Sequence, residues 1–153
     1  MAVWHGRLVG VELPPVRGAS VAGQSGTASR EDQEALARWV ADLEAYFRGE
    51  RLSWAAEEIE LDSDDMSSFA LRTVKALLAV PAGSTVSYGE LAEAAGFPRA
   101  ARAVGSVMAN NPIPIVIPCH RVIRSDGSLG RYGTDPRWKE RLLEHERSNV
   151  RRG

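Results

Sequence analysis

Apolar residues recur at helical spacing in the first part of the chain. One set is separated by three and four residues, as on one face of a helix: Leu36, Trp39, Val40, Leu43 and Phe47. Ser29 is a suitable N-cap for this helix, with Asp32 three residues later, and Gly49 ends it. Residues 2–13 predict a short strand pair, and residues 14–28 predict a loop of Gly, Pro and Ser.

The pattern changes in the middle of the chain. Residues 50–65 are acidic and irregular, with a short strand predicted near Ile59. A second helix is predicted from about Ser67 to Val80, where Pro81 stops it. Its inward side chains are expected to be Phe69, Val74, Leu77 and Leu78.

A composition shift near residue 65 predicts a division of the chain into two parts. Residues 1–65 would form a small N-terminal α/β lobe, with a sheet and a helix, and residues 66–153 a helical C-terminal lobe. The charge follows a similar division. Residues 1–69 hold 6 basic and 13 acidic residues, whereas residues 70–153 hold 13 basic and 7 acidic ones. The C-terminal half could therefore face an anion, although scattered surface charge would give the same count.

Two short helices are predicted in the basic half. Ser87 and Glu90 form a capping box for the first, residues 96–98 make a tight turn, and a second helix runs from Arg99 to about Ala109. This is the helix-turn-helix pattern, although any helical hairpin looks similar. The predicted fold class is α+β, with a winged helix-turn-helix in the C-terminal lobe.

The second of these helices has one edge without bulky side chains. Ala101, Gly105 and Ala109 recur every four residues, with Arg102 and Ser106 beside them. The opposite, buried face is expected to hold Val104, Val107 and Met108. Such an edge allows close packing against another helix, or a close approach to a DNA groove with Arg102 projecting from it.

Composition excludes several classes of protein. The chain has 153 residues, of which 44% are hydrophobic and 25% charged, which is typical of a globular protein and not of a disordered, fibrous or membrane-spanning one. The N-terminus lacks the pattern of a signal peptide. One cysteine allows no internal disulfide, so a reducing cytoplasm is the expected location.

That cysteine follows an apolar segment punctuated by prolines. Residues 113–117 are expected to be buried and extended, delivering Cys119 and His120 to a surface or cleft. A thiolate is a nucleophile, and a nearby imidazole can take the thiol proton. Adjacent residues do not face each other on a regular helix or strand, so this pair would need a turn or a bridging water. The competing interpretation is a small buried side chain without a chemical role.

A carboxylate on the last predicted helix favours a chemical role for the cysteine over a purely structural one. The helix is capped at Asp135 with Pro136 in its first position. Glu146 follows its inward residues Leu142 and Leu143 by four and three, so it lies on or near the apolar face. A buried carboxylate needs a partner. The imidazole of His120 suits that role, and a structural ion pair with a nearby arginine is the alternative.

The segment over residues 99–132 resembles the O6-alkylguanine-DNA alkyltransferases, or methylated-DNA–protein-cysteine methyltransferases. The resemblance rests on RAARAVG, NPIPIVIPCHRVI and DGSLGRYG, and its PCHRV core is highly specific. It extends over residues 67–148 and is only vague before residue 67. It implies repair of double-stranded DNA by a monomer that flips the damaged base and transfers its alkyl group irreversibly.

The resemblance also implies roles for individual residues. Cys119 would accept the alkyl group, His120 would activate it through a water, Glu146 would orient His120, and Asn111 would steady the turn at the cysteine. Arg102 would fill the gap left by the flipped nucleotide.

Other implied roles concern the DNA and the base pocket. Tyr88 would press on the target phosphate, and the small-residue helix would lie in the minor groove through Ala101, Gly105, Ser106 and Ala109. Tyr132 would close a guanine pocket whose other walls are Met108, Pro114, Val122 and Gly133.

The resemblance predicts no cofactor and no metal. With one cysteine and three histidines, the zinc site of some relatives cannot be built in its usual form, and His5 and His145 are expected at the surface.

Three rival classes explain less of the sequence. A non-catalytic protein that binds alkylated DNA would lack the cysteine at this place. A winged-helix regulator, with Asp126 and Gly127 turning the wing, leaves PCHRV and an inward Glu146 unexplained. A cysteine hydrolase needs an oxyanion hole, for which the sequence carries no local signature.

Overall fold

The structure is a computed structural model that describes residues 1–4, 7–13, 29–59, 61, 66–133 and 135–151. Within them the chain is an α+β protein with six α-helices and two short two-stranded sheets. The strands are β1 (Ala2–Trp4), β2 (Arg7–Gly10), β3 (Val86–Ser87) and β4 (Val122–Ile123). The helices are α1 (Arg30–Arg48), α2 (Ala56–Ile59), α3 (Ser68–Leu78), α4 (Tyr88–Ala94), α5 (Ala101–Ala109) and α6 (Arg137–Val150). The predicted loop 14–28 and His5 lie outside the described residues.

The two sheets are small, and one of them positions the cysteine. β1 and β2 run antiparallel, as predicted for residues 2–13. β3 and β4 run parallel, with Val86 opposite Val122. Because β3 leads directly into α4, and β4 directly follows a 3-10 turn at Cys119–Arg121, this pair fixes the helix-turn-helix beside the cysteine.

α1 begins and ends where predicted, but a different face meets the core. Ser29 caps it, and Gly49 ends it with a φ of 76°. The buried side chains are Ala35, Trp39, Leu43 and Tyr46. The prediction that Leu36, Val40 and Phe47 are buried is wrong, since they are 37%, 40% and 49% exposed. Each follows a buried residue by one position, which is about 100° round the helix. The core therefore covers a narrower strip of the helix than the predicted apolar face.

The acidic segment forms a helical turn where a strand was predicted. Ile59 is buried at the end of α2. The carboxylate of Glu58 accepts a hydrogen bond from the N–H of Ala55 at 2.7 Å, and this local contact favours a helical turn over a strand. Residue 60 and residues 62–65 lie outside the described part of the chain.

The predicted capping box of α4 is confirmed, and α3 begins with a cap that was not predicted. Ser67 caps α3, and Ser87 and Glu90 exchange hydrogen bonds of 3.2 and 2.8 Å at the start of α4. Arg99 lies in the turn with a φ of 69°, so α5 starts at Ala101. The predicted inner faces are mostly correct: Val74, Leu77, Val104 and Met108 are buried, and Phe69, Leu78 and Val107 are partly buried against the core.

The apolar segment before the cysteine is buried but not extended. Ile115 has a φ of 76°, and the N–H of Ile117 donates to the carbonyl of Ile113 at 3.0 Å, so the chain folds back on itself. In an extended strand, consecutive side chains point to opposite faces. The turn instead lets Ile115, Val116 and Ile117 all enter one core.

The chain reverses again after β4. The N–H of Arg124 donates to the carbonyl of Ser128 at 2.9 Å, and Gly127 adopts a φ of 83°. The Asp126 carboxylate accepts the N–H of Ser128 at 2.9 Å. The predicted wing is thus this single tight reversal.

α6 carries the predicted inward residues. α6 begins at Arg137 with Pro136 in the N-cap position, one residue later than predicted, although the Asp135 carboxylate accepts the N–H of Arg137 at 3.0 Å. Leu142, Leu143 and Glu146 are buried. His145 was expected at the surface, but it is partly buried because α6 packs against the end of α1. None of the helices in the described part of the chain combines the length and apolar character that a membrane crossing requires.

Candidate active site

Cys119 lies in the 3-10 turn and is held by Asn111. The Asn111 Nδ2 atom donates to the Ile117 carbonyl at 2.9 Å and lies 3.0 Å from the Cys119 Sγ atom. Its Oδ1 atom accepts the N–H of Ile113 at 3.1 Å. One amide therefore fixes both ends of the folded-back segment and touches the sulfur.

The thiol is mostly screened from solvent. Cys119 is 7% exposed, and burial raises the pKa of its thiol above the ordinary value, although the Asn111 amide opposes this effect. The thiol is therefore protonated at neutral pH. Because the thiolate is the nucleophile, the site needs a base.

His120, the next residue along the chain, is the candidate for that base. Its Nε2 atom lies 2.7 Å from the Glu146 Oε1 atom, and both side chains are fully buried. Burial lowers the pKa of the His120 imidazole, against the opposing effect of Glu146. The ring is therefore neutral at pH 7, and the carboxylate assigns its proton to Nε2. The Nδ1 atom is then a proton acceptor, and it has no hydrogen-bond partner among the described residues.

Glu146 collects donors from several parts of the chain. Besides His120, it accepts the Arg121 guanidinium at 2.9 and 3.0 Å, the Tyr46 hydroxyl at 3.0 Å and the Gly83 N–H at 2.9 Å. Burial alone would raise the pKa of the carboxyl, but the hydrogen bonds from His120 and Arg121 lower it to about 2. The two partners that the sequence left as alternatives for this carboxylate both bind it.

Lys139 is a site residue that the sequence analysis missed. It is 1% exposed, and its Nζ atom donates to the Val122 carbonyl. Burial lowers the pKa of its ammonium group to about 8, although interaction with Cys119 acts in the opposite direction. Lys139 precedes Leu142 and Leu143 by three and four residues, so the periodicity that indicated Glu146 also places Lys139 on the inner face.

A pocket of about 570 Å³ opens beside the cysteine. The predicted site residues that line it are Tyr88, Gly105, Met108, Ala109, Asn111, Pro114, Cys119, Tyr132 and Gly133. Val122 is fully buried and lies outside this lining. The hydroxyl group of Tyr132 is buried next to the Cys119 thiol, and burial and that thiol together raise the pKa of the phenol. The space suits a planar base with apolar contacts and a few polar groups.

Other walls of the pocket were not predicted. They come from Val11, Glu12, Leu13, Arg131, Asp135 and Trp138. The N–H of Val11 donates to the Pro112 carbonyl at 2.8 Å, which holds the segment after β2 against the folded-back loop. No short motif marks such a contact, because about a hundred residues separate its two sides.

The small-residue edge of α5 borders this pocket. Gly105 lies partly buried, and a Cβ atom there would be 4.0 Å from the Tyr88 ring. Ala109 is exposed, and Ala101 is partly buried. Arg102 and Ser106 are exposed on the same side of the helix. The edge is therefore available to an external surface, with one arginine projecting beside it.

Comparisons with known proteins give the family. A family model described as "6-O-methylguanine DNA methyltransferase, DNA binding domain" matches residues 68–148. The methylated-DNA–protein-cysteine methyltransferase of Mycobacterium leprae is 48% identical over 116 residues, which cover 76% of this chain and 68% of the relative. The mouse protein of the same name is 48% identical over 120 residues, covering 74% of this chain and 56% of that protein.

Solved structures agree with the sequence comparison. The crystal structure of Mycobacterium tuberculosis OGT in complex with DNA matches with a TM-score of 0.66 and 46% identity, covering 74% of this chain and 68% of that one. The chain belongs to the 6-O-methylguanine DNA methyltransferase family.

The position of Glu146 predicts how stability depends on pH. A carboxyl with a pKa of about 2 in the folded state and an ordinary value of 4.5 stabilises the fold above pH 4.5, and this contribution disappears as pH falls towards 2. Between pH 5 and 2.5, urea unfolding should show the wild type losing on the order of 3 kcal/mol more than Glu146→Gln. Glu140→Gln, at an exposed position on α6, should match the wild type. Equal losses for Glu146→Gln and the wild type would contradict this assignment.

Proposed function

We propose that this protein repairs DNA by transferring the alkyl group of O6-alkylguanine to Cys119, once per molecule. The observation that carries the proposal is the cysteine on the wall of a base-sized pocket, followed directly by a neutral imidazole that a buried carboxylate orients. Membership of the methyltransferase family supports the same activity.

The proton of the thiol leaves first. His120 is neutral with its Nδ1 atom free to accept, so it takes the Cys119 proton through one bridging water, as in other imidazole-activated nucleophiles. Glu146 holds the ring in that tautomer and stabilises the imidazolium that forms. The thiol has a raised pKa, so the thiolate forms only while this base is in place.

The thiolate then attacks the alkyl carbon. A carbon–sulfur bond forms as the bond between that carbon and O6 of guanine breaks, and the oxygen leaves with the bonding electrons. The guanine anion takes up a proton, which balances the one removed from the thiol. The positive charge of Lys139 lies close enough to favour the thiolate before attack.

The product is a thioether, which water does not hydrolyse. The chain has one cysteine, so no second thiol of this protein can remove the alkyl group. One molecule therefore repairs one base.

DNA would bind along the edge of α5. Small side chains at Gly105 and Ala109 let the backbone approach a groove, and contacts of this kind carry little sequence preference. A base in a duplex must be extruded before chemistry at O6, which costs a few kcal/mol. Arg102 is exposed and would fill the gap in the base stack, while Tyr88, between α5 and the pocket, would press on the target phosphate.

Two further predictions accompany this function. The boundary between residues 65 and 66 would separate the two lobes, and the family match beginning at residue 68 supports it. We also expect a cytoplasmic monomer, which fractionation and light scattering can test.

The rival classes of non-catalytic binder and winged-helix regulator give no role to the hydrogen-bonded side chains of His120 and Glu146.

The first prediction under this function concerns stoichiometry. Incubation with a duplex that contains O6-methylguanine should add the mass of one methylene group to the protein, located at Cys119 by peptide mass spectrometry. Cys119→Ser should gain no mass, because serine has no comparably acidic group to ionise. Repeated turnover by a protein of unchanged mass would contradict single use.

The second prediction separates base flipping from chemistry. Arg102→Ala should slow repair of the duplex by about tenfold or more, because the lost stacking is not replaced, but should leave reaction with free O6-alkylguanine unchanged. Arg141→Ala, at an exposed arginine on α6, serves as the charge control. Equal slowing of both reactions by Arg102→Ala would remove Arg102 from the flipping role.

A further inference from the structure

We propose that Tyr46, on α1, is a positioning residue for the transfer reaction: its hydroxyl group and the Arg121 guanidinium together fix the carboxylate that orients His120. This inference rests on the proposed alkyl transfer and extends its machinery to a helix that ends at Arg48, far along the chain from the cysteine. Neither the cysteine motif nor the pocket lining includes Tyr46.

The Tyr46 hydroxyl group contacts the same carboxylate oxygen of Glu146 that binds His120. Tyr46 is fully buried, and its Oη atom lies 3.0 Å from the Glu146 Oε1 atom. That same oxygen accepts the His120 Nε2–H at 2.7 Å. The Arg121 Nη2 atom donates to the same oxygen at 2.9 Å, so the tyrosine hydroxyl group and the guanidinium together define the place left for the imidazole.

The second oxygen and the guanidinium are fixed by the backbone. The Arg121 side chain donates to the carbonyls of Val80 and Leu52, each at 2.6 Å, while it binds Glu146. The N–H of Gly83 holds the Glu146 Oε2 atom at 2.9 Å. The carboxylate therefore cannot rotate towards one donor without losing another.

The tyrosine ring is held as firmly as its hydroxyl group. It stacks on Trp54 at 6.0 Å between ring centroids, with an interplanar angle of 23°. The backbone carbonyl of Tyr46 lies 2.7 Å from the His145 Nε2 atom, which ties the end of α1 to α6. Because both the ring and the backbone are anchored, the hydroxyl group can act as a fixed reference for Glu146.

The hydroxyl group also affects the basicity of the imidazole. It withdraws negative charge from Oε1, so its removal leaves a stronger acceptor for the Nε2–H of His120 and favours the imidazolium. The other titratable groups that face this pair are Arg121, Lys139 and Tyr132. All three remain in a Tyr46→Phe variant, which isolates the effect of one oxygen atom.

The test measures the single-turnover rate of methyl transfer to Cys119 from a duplex containing O6-methylguanine, between pH 5 and 9. Tyr46→Phe should slow the transfer roughly threefold to tenfold and move the acid limb of the pH profile to higher pH. Val40→Ala, at an exposed position of α1, should leave both unchanged. A merely structural role would not move the pH profile.

A rescue keeps the test decisive. The protein with 4-aminophenylalanine at position 46, which keeps an N–H donor at the same place, should recover most of the rate and the original acid limb. An unchanged rate and profile in Tyr46→Phe, or no recovery with the amino analogue, would overturn the inference. Failure of the wild type itself to methylate Cys119 would instead reject the proposed function.

Discussion

A buried carboxylate organises this protein. Glu146 is fully enclosed, and a lone carboxylate in that position would cost several kcal/mol. Donors from α1, the turn after α3 and the 3-10 turn make its burial possible. The same contacts that remove the cost also fix the orientation of His120. Stability and chemistry therefore depend on one set of hydrogen bonds, and a change to any donor affects both.

The rest of the site follows from that arrangement. His120 fixes the 3-10 turn, and Cys119 at the start of the turn lies on the wall of the pocket with Asn111 against its sulfur. β4 leaves the turn and pairs with β3, which leads into the helix-turn-helix, so the small-residue edge of α5 and the thiol belong to one connected unit. Two buried cations, Arg121 and Lys139, surround the reacting groups and favour the anionic forms of the carboxylate and the thiol.

Sequence patterns predicted those structural features that depend on residues close together in the chain. The caps at Ser29 and Ser87, and the inward position of Glu146, depend on neighbours within one or two turns, and all were predicted. The exposed apolar strip of α1 was not predicted, because the size of the core decides which apolar residues of a helix are covered. The contact between Tyr46 and Glu146 joins residues 100 positions apart, so no local pattern could indicate it.

The central claim is that Glu146 holds His120 neutral, with its proton on Nε2 and its Nδ1 atom ready to take a proton. Histidine side-chain ¹⁵N NMR of the resting protein tests this directly. We expect the Nε2–H tautomer at pH 7, and we expect it to persist at pH 6.5, where an ordinary imidazole is half protonated. An imidazolium at pH 7, or a proton on Nδ1, would contradict it.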